Sequence, residues 1–119
     1  LRRYFERINI KNSDTLKLYN AWVNVASGSN YNPPHYHHCK YSGVLYLDLD
    51  SNTAAEDKEE GKIFFSFGQF NPDALQFNGV KMFKPKALDL VLFPFWQKHF
   101  VYPTLKTSEK RISIAFNID

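Results

Sequence analysis

Short apolar or alternating runs, parted by clusters of turn residues, recur along almost the whole chain. Alternation with a period of two is the mark of a strand whose two faces meet different surroundings. The first clear run is Leu18-Tyr19-Asn20-Ala21-Trp22-Val23-Asn24-Val25. Gly28 to Pro34, rich in Gly, Ser, Asn and Pro, reads as a loop. Tyr36 to Cys39 and Gly43 to Leu47 then read as a pair of strands. The acidic stretch from Asp50 to Gly61 reads as a surface loop, and Ile63-Phe64-Phe65-Ser66-Phe67 resumes strand character. After Asn71-Pro72-Asp73 the pattern weakens as far as Phe83, with room for one edge strand. Leu88 to Phe93 is a buried strand stopped by Pro94. His99 to Tyr102 and Arg111 to Phe116 are the last two strands, predicted to form a hairpin through Pro103 to Lys110. No window sustains a helical period except a short turn around Arg3 to Ile8. About eight short strands in so short a chain predict an all-β jelly roll, two sheets around one interior. A plain sandwich without an internal site is the alternative.

Composition narrows this picture. A length of 119 residues allows one domain, residues 1–119, since two separate cores would each be too small to be stable. Eleven Phe and seven Tyr favour a pleated, half-buried surface over helices. Fifteen basic against twelve acidic residues give a net charge of +3, with the charged runs Arg2 to Arg7 and Glu56 to Glu60 mixed in sign. Nucleic acid and membrane surfaces, which call for a basic stripe, are not expected as partners. The one cysteine, Cys39, cannot form an intramolecular disulfide, and no apolar run approaches the roughly 20 residues of a membrane span. A cytoplasmic location is the expectation. The chain opens with Leu1, so its natural N-terminus is expected to lie outside this sequence.

The chemistry gathers in four histidines, His35, His37, His38 and His99. On a strand, positions i and i+2 share a face, so His35 and His37 would enter the interior while Tyr36 and His38 turn away. Two imidazoles on one strand, closed by His99 from a distant one, would grip a metal on one side. Imidazole suits zinc, copper, nickel and iron alike, so the ligand type does not choose the metal. A His-x-His pair is also common as surface decoration, and a lone buried histidine is more often hydrogen-bonded than metal-bound. The rigid approach Asn32-Pro33-Pro34 and the placement of Arg111 favour the ligand reading. An arginine facing an apolar interior is costly unless it meets an anion, and its planar fork suits a carboxylate. Ser113, two residues on, shares that face and can donate to the same group. The alternative is an outward Arg111 paired with Glu109 or Asp119.

The stretches Trp22 to Val25, Pro34-His35-Tyr36-His37, Ser42 to Tyr46, Leu90 to His99 and Arg111 to Asn117 occur in that order. Together they resemble the iron(II)- and 2-oxoglutarate-dependent oxygenases, and more narrowly a small branch met in phage and marine bacteria. The resemblance covers residues 22 to 117. It implies a double-stranded β-helix, with Fe(II) as cofactor, 2-oxoglutarate and dioxygen as cosubstrates, and hydroxylation as the reaction. By that likeness His35 and His99 are metal ligands. Arg111, Ser113 and Tyr46 hold the far carboxylate of 2-oxoglutarate, and Asn24 faces its other end. The wider superfamily places Asp or Glu where His37 stands; the narrow branch commonly reads His-x-His. His37 is therefore expected as the third ligand, with His38 able to replace it only through a one-residue slip of register. The branch also tends to carry Gly where this chain has Leu88, which touches a turn and not the chemistry.

Phe93, Phe95, Trp96, Phe116 and Trp22 are expected to pack the interior. Ala26 to Asn32, Asp50 to Lys62 and Phe70 to Phe83 are expected to rim the site, without pointing to any one substrate. A homodimer is allowed. Two other functions fit the residues: a cupin-like three-histidine dioxygenase that needs no 2-oxoglutarate, and a jelly-roll binding module without catalysis. Arg111→Ala separates the first from the main reading, and metal analysis separates the second.

Overall fold

The computed structural model describes residues 2–11, 13–49, 59–68, 79–103 and 110–119. A six-residue helix, α1 (Arg2–Arg7), and a 3-10 turn (Ser13–Thr15) precede eight strands. These are β1 (Leu18–Ser27), β2 (Asn32–His35), β3 (Tyr41–Leu49), β4 (Ile63–Ser66), β5 (Val80–Phe83), β6 (Leu90–Pro94), β7 (His99–Val101) and β8 (Lys110–Ile118). One sheet has the order β1-β8-β3-β6 and the other β2-β7-β4-β5. Every pairing is antiparallel. Except between β4 and β5, each step along the chain changes sheet, which is the winding of a jelly roll, or double-stranded β-helix. Among the described residues no helix is long and apolar enough to cross a membrane.

Two apolar clusters hold the sheets. Ile63 and Phe65 of β4 meet Phe93 of β6 between the sheets, with Val44, Val91 and Val101 packed around them. On the outside of the first sheet, Phe5 of α1 is buried against Phe116 and Ile118 of β8, with Ile10, Leu16, Tyr41 and Leu92 closing over it. A helix this short has no stability of its own; burying Phe5 contributes about 1.5–3 kcal/mol and holds it in place.

Several sequence expectations need correction. Asn32–His35 is a strand where the expected loop ran to Pro34, while residues 36–39, expected as a strand, are irregular. Pro33 and Pro34 keep the backbone extended yet supply no N–H, so β2 pairs with β7 only at its ends, Asn32 with Val101 and His35 with His99. β7 and β8 do not form a hairpin. β7 lies between β2 and β4, whereas β8 lies between β1 and β3 in the other sheet. Phe93 and Phe116 are buried as expected, but Phe95 and Trp96 are 44% and 63% exposed at the turn after β6. The strand expected from Leu88 begins at Leu90, because Leu88 turns the chain with a φ of 70°. Of the expected rims, residues 50–58, 70–78 and the 104–109 part of the last connection lie outside the described residues.

Candidate metal centre

His35 ends β2 and His99 begins β7, and the two are direct partners across those strands. Their rings lie 4.2 Å apart between centroids. His37 follows in the irregular segment, where its backbone N–H reaches the Phe95 carbonyl at 3.4 Å. The shared-face argument for His35 and His37 thus does not apply, since His37 is not on a strand. The chain nevertheless returns its ring to the same point. One nitrogen from each of His35, His37 and His99 lies within 4.8 Å of the others. His38 is not in this group; its ring packs beside Tyr36.

Hydrogen bonds prepare two of the imidazoles. His35 Nδ1–H donates to the Pro33 carbonyl at 2.7 Å, and His99 Nδ1–H donates to the Gln97 carbonyl at 3.0 Å. A carbonyl can only accept, so each of these rings carries a proton on Nδ1, and the neutral tautomer that fits presents Nε2 as the acceptor. Gln97 is fixed in turn, its side-chain amide donating to the Ser66 and Lys98 carbonyls at 2.8 and 3.0 Å. His37 Nε2 and His99 Nε2 stand 3.4 Å apart. Burial, and then the neighbouring imidazoles, push His99 down to about 4 against a backbone hydrogen bond that raises it. Burial and His35 lower His37 too. Three imidazoles with converging ring nitrogens are what a divalent ion requires, and the donor set fits ferrous iron.

The histidines open on a cavity of about 430 Å³ between the sheets. Its other wall is the inner face of β1, β8 and β3, which the registers resolve into rows. Trp22, Ala115 and Val44 form one row, Asn24, Ser113 and Tyr46 the next, and Arg111 follows between Ala26 and Leu49. One inward step along β8 is about 7 Å. Arg111 faces the cavity and is not the outward residue of the alternative reading; its Nη1 donates to the Gly61 carbonyl at 3.0 Å. Burial lowers the guanidinium from its ordinary value, opposed by Tyr46. Tyr46 is pushed up to about 12, chiefly by burial, so its phenol stays a hydrogen-bond donor. Among the described residues no Asp or Glu lines the cavity. Asn30, Tyr31 and Asn32, from a loop expected to rim the site, contribute to its wall.

The model of the family described as "Putative 2OG-Fe(II) oxygenase" matches residues 20–117. The chain belongs to this family. The match takes in all three histidines, Arg111, Ser113, Tyr46 and Asn24. A solved structure, the crystal structure of an oxidoreductase of the 2OG-Fe(II) oxygenase family from Burkholderia pseudomallei, superposes with a TM-score of 0.70 at 13% identity. The alignment takes in 99% of this chain and 50% of that one, so the chain spans half the length of this relative; at that identity the likeness speaks for the fold. No curated protein gives a significant match. In this member of the family, sequence reasoning missed the Gln97 and Gly61 carbonyls, because any residue supplies a carbonyl. It also assigned Trp22 to packing, whereas the residue is 37% exposed and its ring stacks on His37 at 5.8 Å and 25°.

Proposed function

We propose that this oxygenase is an iron(II)-dependent dioxygenase that consumes 2-oxoglutarate and hydroxylates its substrate, with His35, His37 and His99 as the metal ligands. One observation carries the reading: three clustered imidazoles share a single cavity with a half-buried guanidinium, and among the described residues no carboxylate lines it. A cation facing a cavity that no acid among the described residues lines favours an anionic ligand there. Arg111 takes the far carboxylate of 2-oxoglutarate through its planar fork, Ser113 and Tyr46 donate to the same group, and Asn24 stands in their row nearer the histidines. When bound, ferrous iron supplies oxygen activation coupled to oxidative decarboxylation of 2-oxoglutarate to succinate and carbon dioxide. The protein's part is placement. Pro33 and Gln97 hold two ligand rings in one tautomer, and Ile63, Phe93 and Val101 give the cavity a dry apolar wall.

The test is succinate release with iron, ascorbate and 2-oxoglutarate, where uncoupled turnover is expected without any added substrate and His99→Ala is expected to abolish it. Arg111→Ala should weaken 2-oxoglutarate binding at least about tenfold by calorimetry, the loss of a charge-assisted hydrogen-bonded pair. That the cluster among the described residues is three histidines without a carboxylate favours a second reading, a three-histidine dioxygenase that binds substrate directly on iron. Under that reading Arg111→Ala leaves turnover nearly unchanged.

A further inference from the structure

The three imidazoles are not held alike. His35 and His99 each give an Nδ1–H to a backbone carbonyl, at 2.7 and 3.0 Å. Among the described residues His37 has no such acceptor; its one side-chain hydrogen-bond contact is with His99 Nε2. Its backbone is also the least constrained of the three, lying beyond the end of β2 on a single long hydrogen bond of 3.4 Å. What fixes the ring is stacking. It lies nearly parallel to His99, at 9° and 5.2 Å, and the Trp22 indole covers it at 25° and 5.8 Å. Trp22 comes from the opposite sheet, where β1 pairs it with Ala115 of β8, a residue small enough to leave room beside the indole.

We infer that Trp22 is a positioning residue for the candidate metal centre, doing for His37 through an aromatic face what Pro33 and Gln97 do for the other two ligands through carbonyls. The inference rests on the three-histidine ligand set. Stacking on the indole engages the face of His37 and neither of its nitrogens while restricting its side-chain rotation, so the ring is pre-set for a metal without losing a donor to the indole. Trp22 also bridges the sheets, so the position of one ligand depends on how the first sheet sits over the second.

Two measurements test this. In metal-free protein the His37 ring protons should resonate upfield in the NMR spectrum, under the indole face, and move downfield in Trp22→Ala and Trp22→Leu but not in Trp22→Phe. Unshifted wild-type His37 protons would overturn the inference without reference to any metal. The second measurement is Co(II) titration by visible absorption. Trp22→Ala should weaken Co(II) binding about 10- to 100-fold, as removal of outer partners of metal ligands does. Trp22→Leu, which keeps apolar bulk and guards against a variant that fails to fold, should do the same, and Trp22→Phe should restore most of the affinity. In a His37→Ala background Trp22→Ala should cost nothing further, because residues acting through one another are not additive. Full additivity, or equal affinity and unchanged bands in Trp22→Ala and Trp22→Leu, overturns the inference and leaves the ligand set standing. A wild-type chain that binds no Co(II) removes the ligand set and the inference with it.

Discussion

His99, 3% exposed and beside two other imidazoles, is pushed well below the ordinary imidazole value, chiefly by burial. Folded, it titrates near 4; unfolded, near 6.5. Between those values the unfolded chain holds a proton that the folded chain does not, so stability rises with pH across the window. The contribution is complete above about pH 6.5 and falls by on the order of 3 kcal/mol as pH drops to 4. The lowered His37 acts in the same direction. Urea melts of chelator-treated protein between pH 7.5 and 4.5 should show this loss, and His99→Gln should flatten the profile. Leu88 offers a prediction of opposite sign. Its φ of 70° lies in the left-handed region that a side chain resists, in a turn fixed by its N–H to the Tyr46 carbonyl at 2.7 Å. Leu88→Gly is expected to raise stability by about 0.5–1 kcal/mol in the same melts.

At the scale of elements, β1, β4 and β8 were readable because their apolar runs are long or alternate cleanly. β2 was not, since Asn32-Pro33-Pro34 carries the composition of a loop and becomes a strand only because β7 lies beside it. The β7–β8 hairpin failed for a related reason. A connection of that length can turn back or cross, and only the neighbours decide. Burial on both faces in the second half of β8, from Ser113 and Ala115 inward to Phe116 and Ile118 outward, suits a strand with a partner on each side. His35 and His37 do come together, though not through the shared strand face expected, and the contact of His35 with His99 was invisible because pairing across strands leaves no mark on spacing. β3 shows why one glycine matters. Gly43 lies between Leu92 of β6 and Phe116 of β8, and an added Cβ would collide with the Phe116 ring and come within 2.7 Å of Leu92 Cδ2. Gly43→Ala is expected to cost about 1–3 kcal/mol by overpacking, read as a lower urea midpoint with an unchanged slope.

For the molecule as a whole, the ordered motifs from Trp22 to Asn117 carried the family resemblance, and the family match over residues 20–117 bears it out. The jelly roll follows from many short strands, but its strand order does not, being a product of long-range pairing. That order divides the site. His35 and His99 belong to one sheet, while Asn24, Tyr46, Arg111 and Ser113 belong to the other. A ligand gripped at one end by the imidazoles and at the other by the guanidinium would act as a rivet through two plates. Amide exchange should then slow in β2 and β7 together with β1 and β8 when Co(II) and 2-oxoglutarate are both present, and metal alone should protect chiefly the first pair. The halves of such a sandwich would part only after its contents had left, so that filling the site and keeping the fold shut become one event.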